Sequence, residues 1–190
     1  MKIIMISGSR NPAGKTASMA DALLRGATDA AAPRAGAQCE RYFLPELFIR
    51  RCRQCDEQGW GECREKGTCV IEDDFANLVE AIRRADAVVV ATPVYFSDLS
   101  ESLRAFLDRL RRITRHDAAK PGIAGKPTIA IGVAGGGGGG APACMDRMQT
   151  VLATCGFDVL DVVPARRQNL DLKEQVLELT GRWLVTQCQE

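Results

Sequence analysis

Apolar residues in this chain follow two rhythms that alternate along its length. Lys2 to Ser7 (KIIMIS) is a short, nearly continuous apolar run that stops at GSRNPAG, the pattern of a strand buried on both faces and released into a loop. From there Thr16, Met19, Ala20, Leu23, Leu24 and Ala27 recur near 3.6-residue spacing and predict a helix, which the APRAGA stretch ends. Ala37 to Leu44 is a second, less regular strand pattern. Phe75, Leu78, Val79 and Ile82 mark another helical face, and Ala87 to Ala91 (AVVVA) is the plainest buried strand of the chain. After the loop TPVYFSDLS, residues Leu99, Leu103, Phe106, Leu107 and Leu110 predict a helix with Ser100 as its cap. A fourth strand over Pro127 to Val133, a helix marked by Met145 to Cys155, a fifth strand over Phe157 to Val163 and a helix over Leu172 to Leu184 complete the pattern. Five strands alternating with helices predict an α/β fold whose parallel sheet is covered on both faces. In such a sheet the loops after strands one, three and four converge at the carboxyl edge, where ligands bind.

Composition narrows this picture without changing it. At 190 residues, 46% hydrophobic and 26% charged, the chain matches one globular domain able to bury a core without metal or disulfide staples. A net charge of +1 with no long basic tract excludes nucleic acid as the expected partner. The first apolar run is too short for a signal peptide or a membrane span, so the expectation is a cytoplasmic protein with no membrane partner. In that compartment the eight cysteines would serve as thiols, ligands or redox groups.

The loops carry the candidate chemistry. GSRNPAGKT offers the Ser9, Asn11 and Thr16 side chains and successive backbone N–H groups at a helix N-terminus, a combination that suits a phosphate. Arg10 can add a charge-assisted bond, while Gly8 and Gly14 permit close backbone approach. GKT at Gly14 to Thr16 resembles the end of a nucleoside-triphosphatase loop, but five residues rather than four separate Gly8 from Gly14. The AVVVA strand also ends in Thr92 and Pro93, with no Asp to hold magnesium. TPVYFSDLS sets a Pro-fixed turn and two aromatics at the mouth of a buried strand. Tyr95 or Phe96 can stack on a planar ring or pack in the core, and their backbone amides are the favoured ligand donors. The six glycines Gly135 to Gly140 follow the fourth strand; they suit either close approach to a flat ligand or a mobile linker.

An irregular segment from Pro45 to about Val70 is longer than most connections and holds Cys52, Cys55, Cys63 and Cys69 in the spacing C-x2-C-x7-C-x5-C. Four thiolates suit a 4Fe-4S cluster or a tetrahedral zinc, and free thiols or a redox disulfide are the remaining readings. Cys39, Cys144, Cys155 and Cys188 read as small apolar side chains. His116 is the single histidine, so histidine-based zinc sites and triads are unsupported, and it reads as a surface residue. In AFLDRLRRITR the arginines read as the charged solvent face of an amphipathic helix, with Arg109 pairing Asp108 or a neighbouring element.

Taken together, GSRNPAGKT, CVIEDDF, ATPVYF and AFLDR resemble the flavodoxin-like NAD(P)H-dependent FMN reductases and the related iron-sulfur flavoproteins. That resemblance implies a flavodoxin-like three-layer sandwich, a single domain over residues 1–190 with the cysteine-containing insertion at about 45–70, and strand order 2-1-3-4-5. It also implies FMN, with Ser9, Asn11, Gly14, Lys15 and Thr16 around its phosphate; Arg10, expected there from its charge, follows Ser9 directly, where many relatives have Pro and then Arg. Pro93, Val94, Tyr95 and Phe96 would border the ribityl chain and isoalloxazine, and Gly135, Gly136 and Gly137 would lie beside the ring. Iron-sulfur flavoproteins place two residues between the second and third cysteines, where this chain has seven. The implied activity is transfer of reducing equivalents from NAD(P)H as co-substrate to a flavin, quinone or other small acceptor, without a catalytic nucleophile. The alternatives are an electron carrier using a cluster to reach a protein acceptor and a noncatalytic flavin-binding module. The exposed flavin edge of so small a domain further implies a homodimer, and the outer arginines of AFLDRLRRITR can attract the extra phosphate of NADPH.

Overall fold

The computed structural model describes residues 1–31 and 36–188. In chain order the elements are β1 (Lys2–Ser7), α1 (Lys15–Ala31), β2 (Gln38–Phe43), α2 (Glu62–Glu65), α3 (Phe75–Arg84), β3 (Ala87–Pro93), α4 (Glu101–Ile113), β4 (Pro127–Ala134), α5 (Ala141–Cys155), β5 (Asp158–Arg166) and α6 (Leu170–Gln187). All five strands are parallel in the order β2-β1-β3-β4-β5, the topology expected of a flavodoxin-like sandwich. Most of the APRAGA stretch expected to end α1 falls on residues 32–35 and lies outside the described residues.

Strand periodicity divides the core between the two faces. On β1, Ile3 and Met5 point to the layer formed with α1 and α6, whereas Ile4 and Ile6 pack with α3, α4 and α5. β3 and β4 repeat this division, with Val89 and Ile131 on one side and Val88 and Ala130 on the other. Fully burying one such aliphatic side chain contributes about 1.5–3 kcal/mol, so the central strands anchor both layers. The two outer helices of the first layer meet unusually closely: a Cβ on Gly26 would lie 2.0 Å from the Glu178 carbonyl, and one on Gly181 would lie 2.0 Å from the Leu23 carbonyl.

Element boundaries differ from the sequence pattern mainly at strand ends. β5 continues three residues past Val163, through Pro164, to Arg166. Proline is tolerated there because β5 is an edge strand and need not donate a second ladder bond. β3 likewise continues through Thr92 to Pro93, which is registered with Val133 of β4. Apolar runs end before pairing does, so hydrophobicity alone marks these strands short. Among the described residues no helix is long and apolar enough to cross a membrane.

Candidate functional site

At the carboxyl edge of β1 the chain folds largely onto itself. Ser9 Oγ accepts from the Asn11 N–H at 3.2 Å, Asn11 Oδ1 accepts from the Ala13 N–H at 3.0 Å, and the Gly14 N–H donates to the Asn11 carbonyl at 3.0 Å. The Ser9 and Asn11 oxygens expected around a phosphate are therefore engaged in shaping the loop. What remains is a set of backbone donors: among the described residues, the N–H groups of Arg10, Lys15, Thr16 and Ala17 have no protein acceptor. Thr16 is buried at the helix start with its hydroxyl unpartnered, while the Arg10 and Lys15 side chains are exposed. Free N–H groups at the positive end of the 17-residue α1 form an anion cradle that needs little side-chain charge.

The β3 loop is bound tightly to this cradle. Ser100 caps α4 by accepting from the Leu103 N–H, its own N–H donates to Thr92 Oγ1 at 3.0 Å, and Ser102 Oγ donates to the Gly8 carbonyl at 3.3 Å. Gly8 is required for this contact, since a Cβ there would stand 2.0 Å from Ser100 Oγ. Between the two loops Gly8, Arg10, Tyr95, Ser100, Glu101 and Ser102 line a cleft of about 340 Å3.

Above that cleft the chain makes a tight turn. Tyr95 N–H and Asp98 carbonyl pair at 3.0 Å and the reverse bond is 2.9 Å, with Phe96 and Ser97 between them at φ values of 48° and 63°. The Val94 N–H is likewise used, donating to the Val133 carbonyl at 3.0 Å. Of the two amides expected to face a ligand, Tyr95's is thus engaged and Phe96's is left. Both rings are exposed, Phe96 completely. Asp98 anchors the turn: burial pushes its carboxyl up, but the Leu99 N–H and the Arg104 guanidinium outweigh that and hold it below the usual carboxylate value.

The glycine tract is not uniform. Cβ atoms at Gly135, Gly136 and Gly137 would meet nothing within 4 Å, so packing does not demand glycine there. Gly138 and Gly140 are demanded, because Cβ atoms would approach Arg166 Cβ to 2.5 Å and Ser97 Oγ to 2.7 Å. Gln168 Nε2 donates to the Gly136 carbonyl at 2.9 Å, tying the tract to the end of β5.

A second site lies toward the other end of α4. Cys52, Cys55, Cys63 and Cys69 all line one small cavity together with Arg109 and Arg112. Its volume is about 20 Å3, room for a single water, and among the described residues no group of three or more His, Cys, Asp or Glu side chains is arranged to hold a metal ion. A zinc with Zn–S bonds near 2.3 Å would draw four sulfurs to about 3.8 Å from one another, whereas a cluster spreads its thiolates over separate irons. The four thiols suit a cluster in kind, and all four line the one cavity.

Arg109 pairs with a neighbouring element, one of the two partners expected for it. It does not face solvent with the outer arginines but is 1% exposed, donating to both carboxylate oxygens of Asp73 at 2.7 and 3.0 Å, to the Arg50 carbonyl at 3.0 Å and to Cys69 Sγ at 3.3 Å. Its guanidinium also lies 4.1 Å from the Phe75 ring centroid. Asp108 pairs instead with Arg111 at 3.0 Å. Burial pushes the Asp73 carboxyl up, but the Arg109 bonds and the N–H groups of Arg50 and Phe75 prevail and hold it below its ordinary value. Sequence reasoning missed Asp73, Arg109 and Arg112 as a unit. The signal was present: Arg109 follows Phe106 by three residues and precedes Ile113 by four, on the apolar stripe of the helix. Cys144 and Cys155 are buried as expected, their thiols pushed up by burial to about 11 and about 12. His116 is half-buried and caps a short turn by accepting from the Ala118 N–H.

A parallel sheet of this order, with a phosphate-sized cradle after β1 and a glycine tract after β4, defines a flavodoxin-like domain of the flavin-binding class. The chain belongs to the NADPH-dependent FMN reductase family, whose model matches residues 1–168. An iron-sulfur flavoprotein of Methanocaldococcus jannaschii is 31% identical over 138 residues, 73% of this chain and 65% of the relative. One from Methanosarcina thermophila is 31% identical over 140 residues, 74% of this chain and 66% of its own length. The chain thus matches a little under two thirds of these relatives. Among solved structures, the NAD(P)H:quinone oxidoreductase of Methanothermobacter marburgensis superposes with a TM-score of 0.67 at 20% identity, covering 96% of this chain and 94% of that one, and so shares the fold.

Proposed function

We propose that this chain is an FMN-dependent electron-transfer flavoprotein in which Cys52, Cys55, Cys63 and Cys69 hold a 4Fe-4S cluster, linking the flavin to an outside protein or small-molecule acceptor. The observation that carries this reading is the convergence of all four cysteines on one cavity. The iron-sulfur flavoproteins among the relatives support it. Both candidate centres lie along α4: Glu101 and Ser102 line the cleft between the flavin loops, and Arg109 and Arg112 line the cysteine cavity. Seven to eleven residues of helix separate them, about 10–16 Å along its axis.

In this reading the free N–H groups of Arg10, Lys15, Thr16 and Ala17 and the Thr16 hydroxyl take the FMN phosphate. The Phe96 amide and the open backbone of Gly135, Gly136 and Gly137 border the ring. Bound FMN supplies exchange between two-electron and one-electron chemistry, and the cluster supplies one-electron exchange. No side chain is required to form a covalent bond, so the protein's part is to hold, orient and electrostatically bias. The exposure of Tyr95 and Phe96 favours a second reading, in which a nicotinamide or quinone approaches the ring directly and the chain acts as an NAD(P)H-dependent reductase.

Anaerobic purification with quantified flavin, iron, sulfide and zinc tests the proposal. The expected result is one FMN with iron and inorganic sulfide in equal amounts, and loss of both from C55S with FMN retained. Yellow protein without iron, bleached rapidly by NADH or NADPH, would establish the reductase instead, and stoichiometric zinc would make the cysteine segment structural.

A further inference from the structure

Two buried donors at the cysteine cavity lack acceptors. Arg109 Nε and Arg112 Nε are the buried side-chain nitrogens without a hydrogen-bond partner among the described residues, and both arginines line this one cavity. Arg109 is otherwise saturated: its terminal nitrogens reach Asp73, Arg50, Ile71 and Cys69. Arg112 is held from two sides, its guanidinium 4.9 Å from the Trp60 ring centroid and its Nη1 donating to the Gly59 carbonyl. An unsatisfied buried donor on a charged group is costly, and neutral thiols are weak acceptors that do not relieve it. Arg53 also lines the cavity, against a single carboxylate, Glu62. With Asp73 already paired to Arg109, positive charge is in excess around four sulfurs.

We infer that Arg109 and Arg112 form the positive wall of the cysteine site, donating through Nε–H to the sulfurs of an anionic iron-sulfur centre and raising its reduction potential. This rests on the cluster reading above. A centre bound by four thiolates carries net negative charge that grows when one electron enters, and nearby fixed cations and N–H donors favour that reduced form. No bond is made or broken in the step, and both arginines keep their protons throughout. Arg109 also anchors the fold through Asp73, so Arg112 is the residue that separates tuning from folding. Both act as positioning and tuning residues.

The test is a redox titration of anaerobically purified holoprotein, followed at flavin and cluster wavelengths, on the parent, R112Q and R112K. In R112Q the ratio of reduced to oxidised cluster at a fixed potential should fall about tenfold, equivalent to ~59 mV for one electron. R112K keeps the charge without the planar fork and should show a smaller fall in the same direction. The flavin couple, which Arg112 does not line, should not move in either variant. If both variants hold the parent's iron and sulfide and titrate at the parent's cluster potential, the inference is wrong and the cluster reading stands. Parental protein that binds FMN but contains no iron or sulfide would overturn both together.

Discussion

The two ends of α4 are built from different materials. At its N-terminal end the anion cradle is mostly backbone: side chains such as Ser9 and Asn11 are consumed in folding the loop, and free N–H groups are the product. At its C-terminal end the cysteine cavity is mostly side chain, four thiols and three guanidiniums, with charge balanced partly by Glu62 and Asp73. A backbone site tolerates sequence change as long as the loop keeps its shape, because the ligand is met by atoms common to every residue. A side-chain site depends on the identity of each member, and removing one leaves others buried and unmatched. The cavity should therefore respond more sharply than the cradle to a single isosteric substitution.

The largest effect expected from that contrast is at Asp73. Its side chain is fully buried against Arg109, and D73N preserves shape while stranding the guanidinium, which should cost about 3–5 kcal/mol in urea unfolding. The acid limb carries the same information. A carboxyl held below its ordinary value in the folded state contributes stability above its unfolded pKa, near 3.9, and that contribution is lost as pH falls through the lower folded value. Parental stability should thus fall as pH drops below about 4, with D73N showing a flatter acid limb. Equal stability of parent and D73N at neutral pH would erase the distinction between the two ends.

Gly8 probes the backbone site at a smaller scale. G8A forces a Cβ toward Ser100 Oγ and should cost about 1–3 kcal/mol while opening the junction between the β1 and β3 loops. Because Ser100 Oγ is the obstructing atom, the same change should cost less in an S100A background. A double-mutant cycle on unfolding free energy and FMN affinity would show this as coupling. Strictly additive costs would mean that Gly8 is needed for something other than this contact.

The contrast also explains what could be read from the sequence. Five strands and the phosphate-sized loop were legible because apolar periodicity and loop position report backbone geometry directly, and the strand order followed from the family resemblance. The cysteine spacing announced a site, but its second half was hidden. Arg109 lies 36 residues from Asp73, and the expectation that it pairs Asp108 or a neighbouring element could not say which element, because only tertiary packing brings the two together. Asp73 itself sits in CVIEDDF, a motif noted for its family likeness, without a stated partner. The Tyr95 amide was misplaced for a related reason: the turn pairing it with Asp98 needs two left-handed residues, and Phe96–Ser97 carries no Gly or Asn to signal that.

That turn supplies the smallest and sharpest test. Left-handed backbone costs an ordinary L-residue roughly 1–2 kcal/mol, and Phe96, fully exposed, recovers none of it through packing. Strained backbone clusters at ligand-binding positions, which makes this turn the place to test for a role in FMN binding. F96G removes the strain but adds unfolded-state entropy of about 0.5–1 kcal/mol, so the FMN-free protein should gain about 0.5–1 kcal/mol in stability. In the proposed reading FMN should bind severalfold more weakly, because glycine lets the turn that presents the residue-96 amide relax. Thermal unfolding of the FMN-free protein and flavin fluorescence titration measure the two effects separately. A gain in stability with unchanged FMN affinity would leave the strained turn without a role at the cradle, and the backbone alone would then define that end of α4.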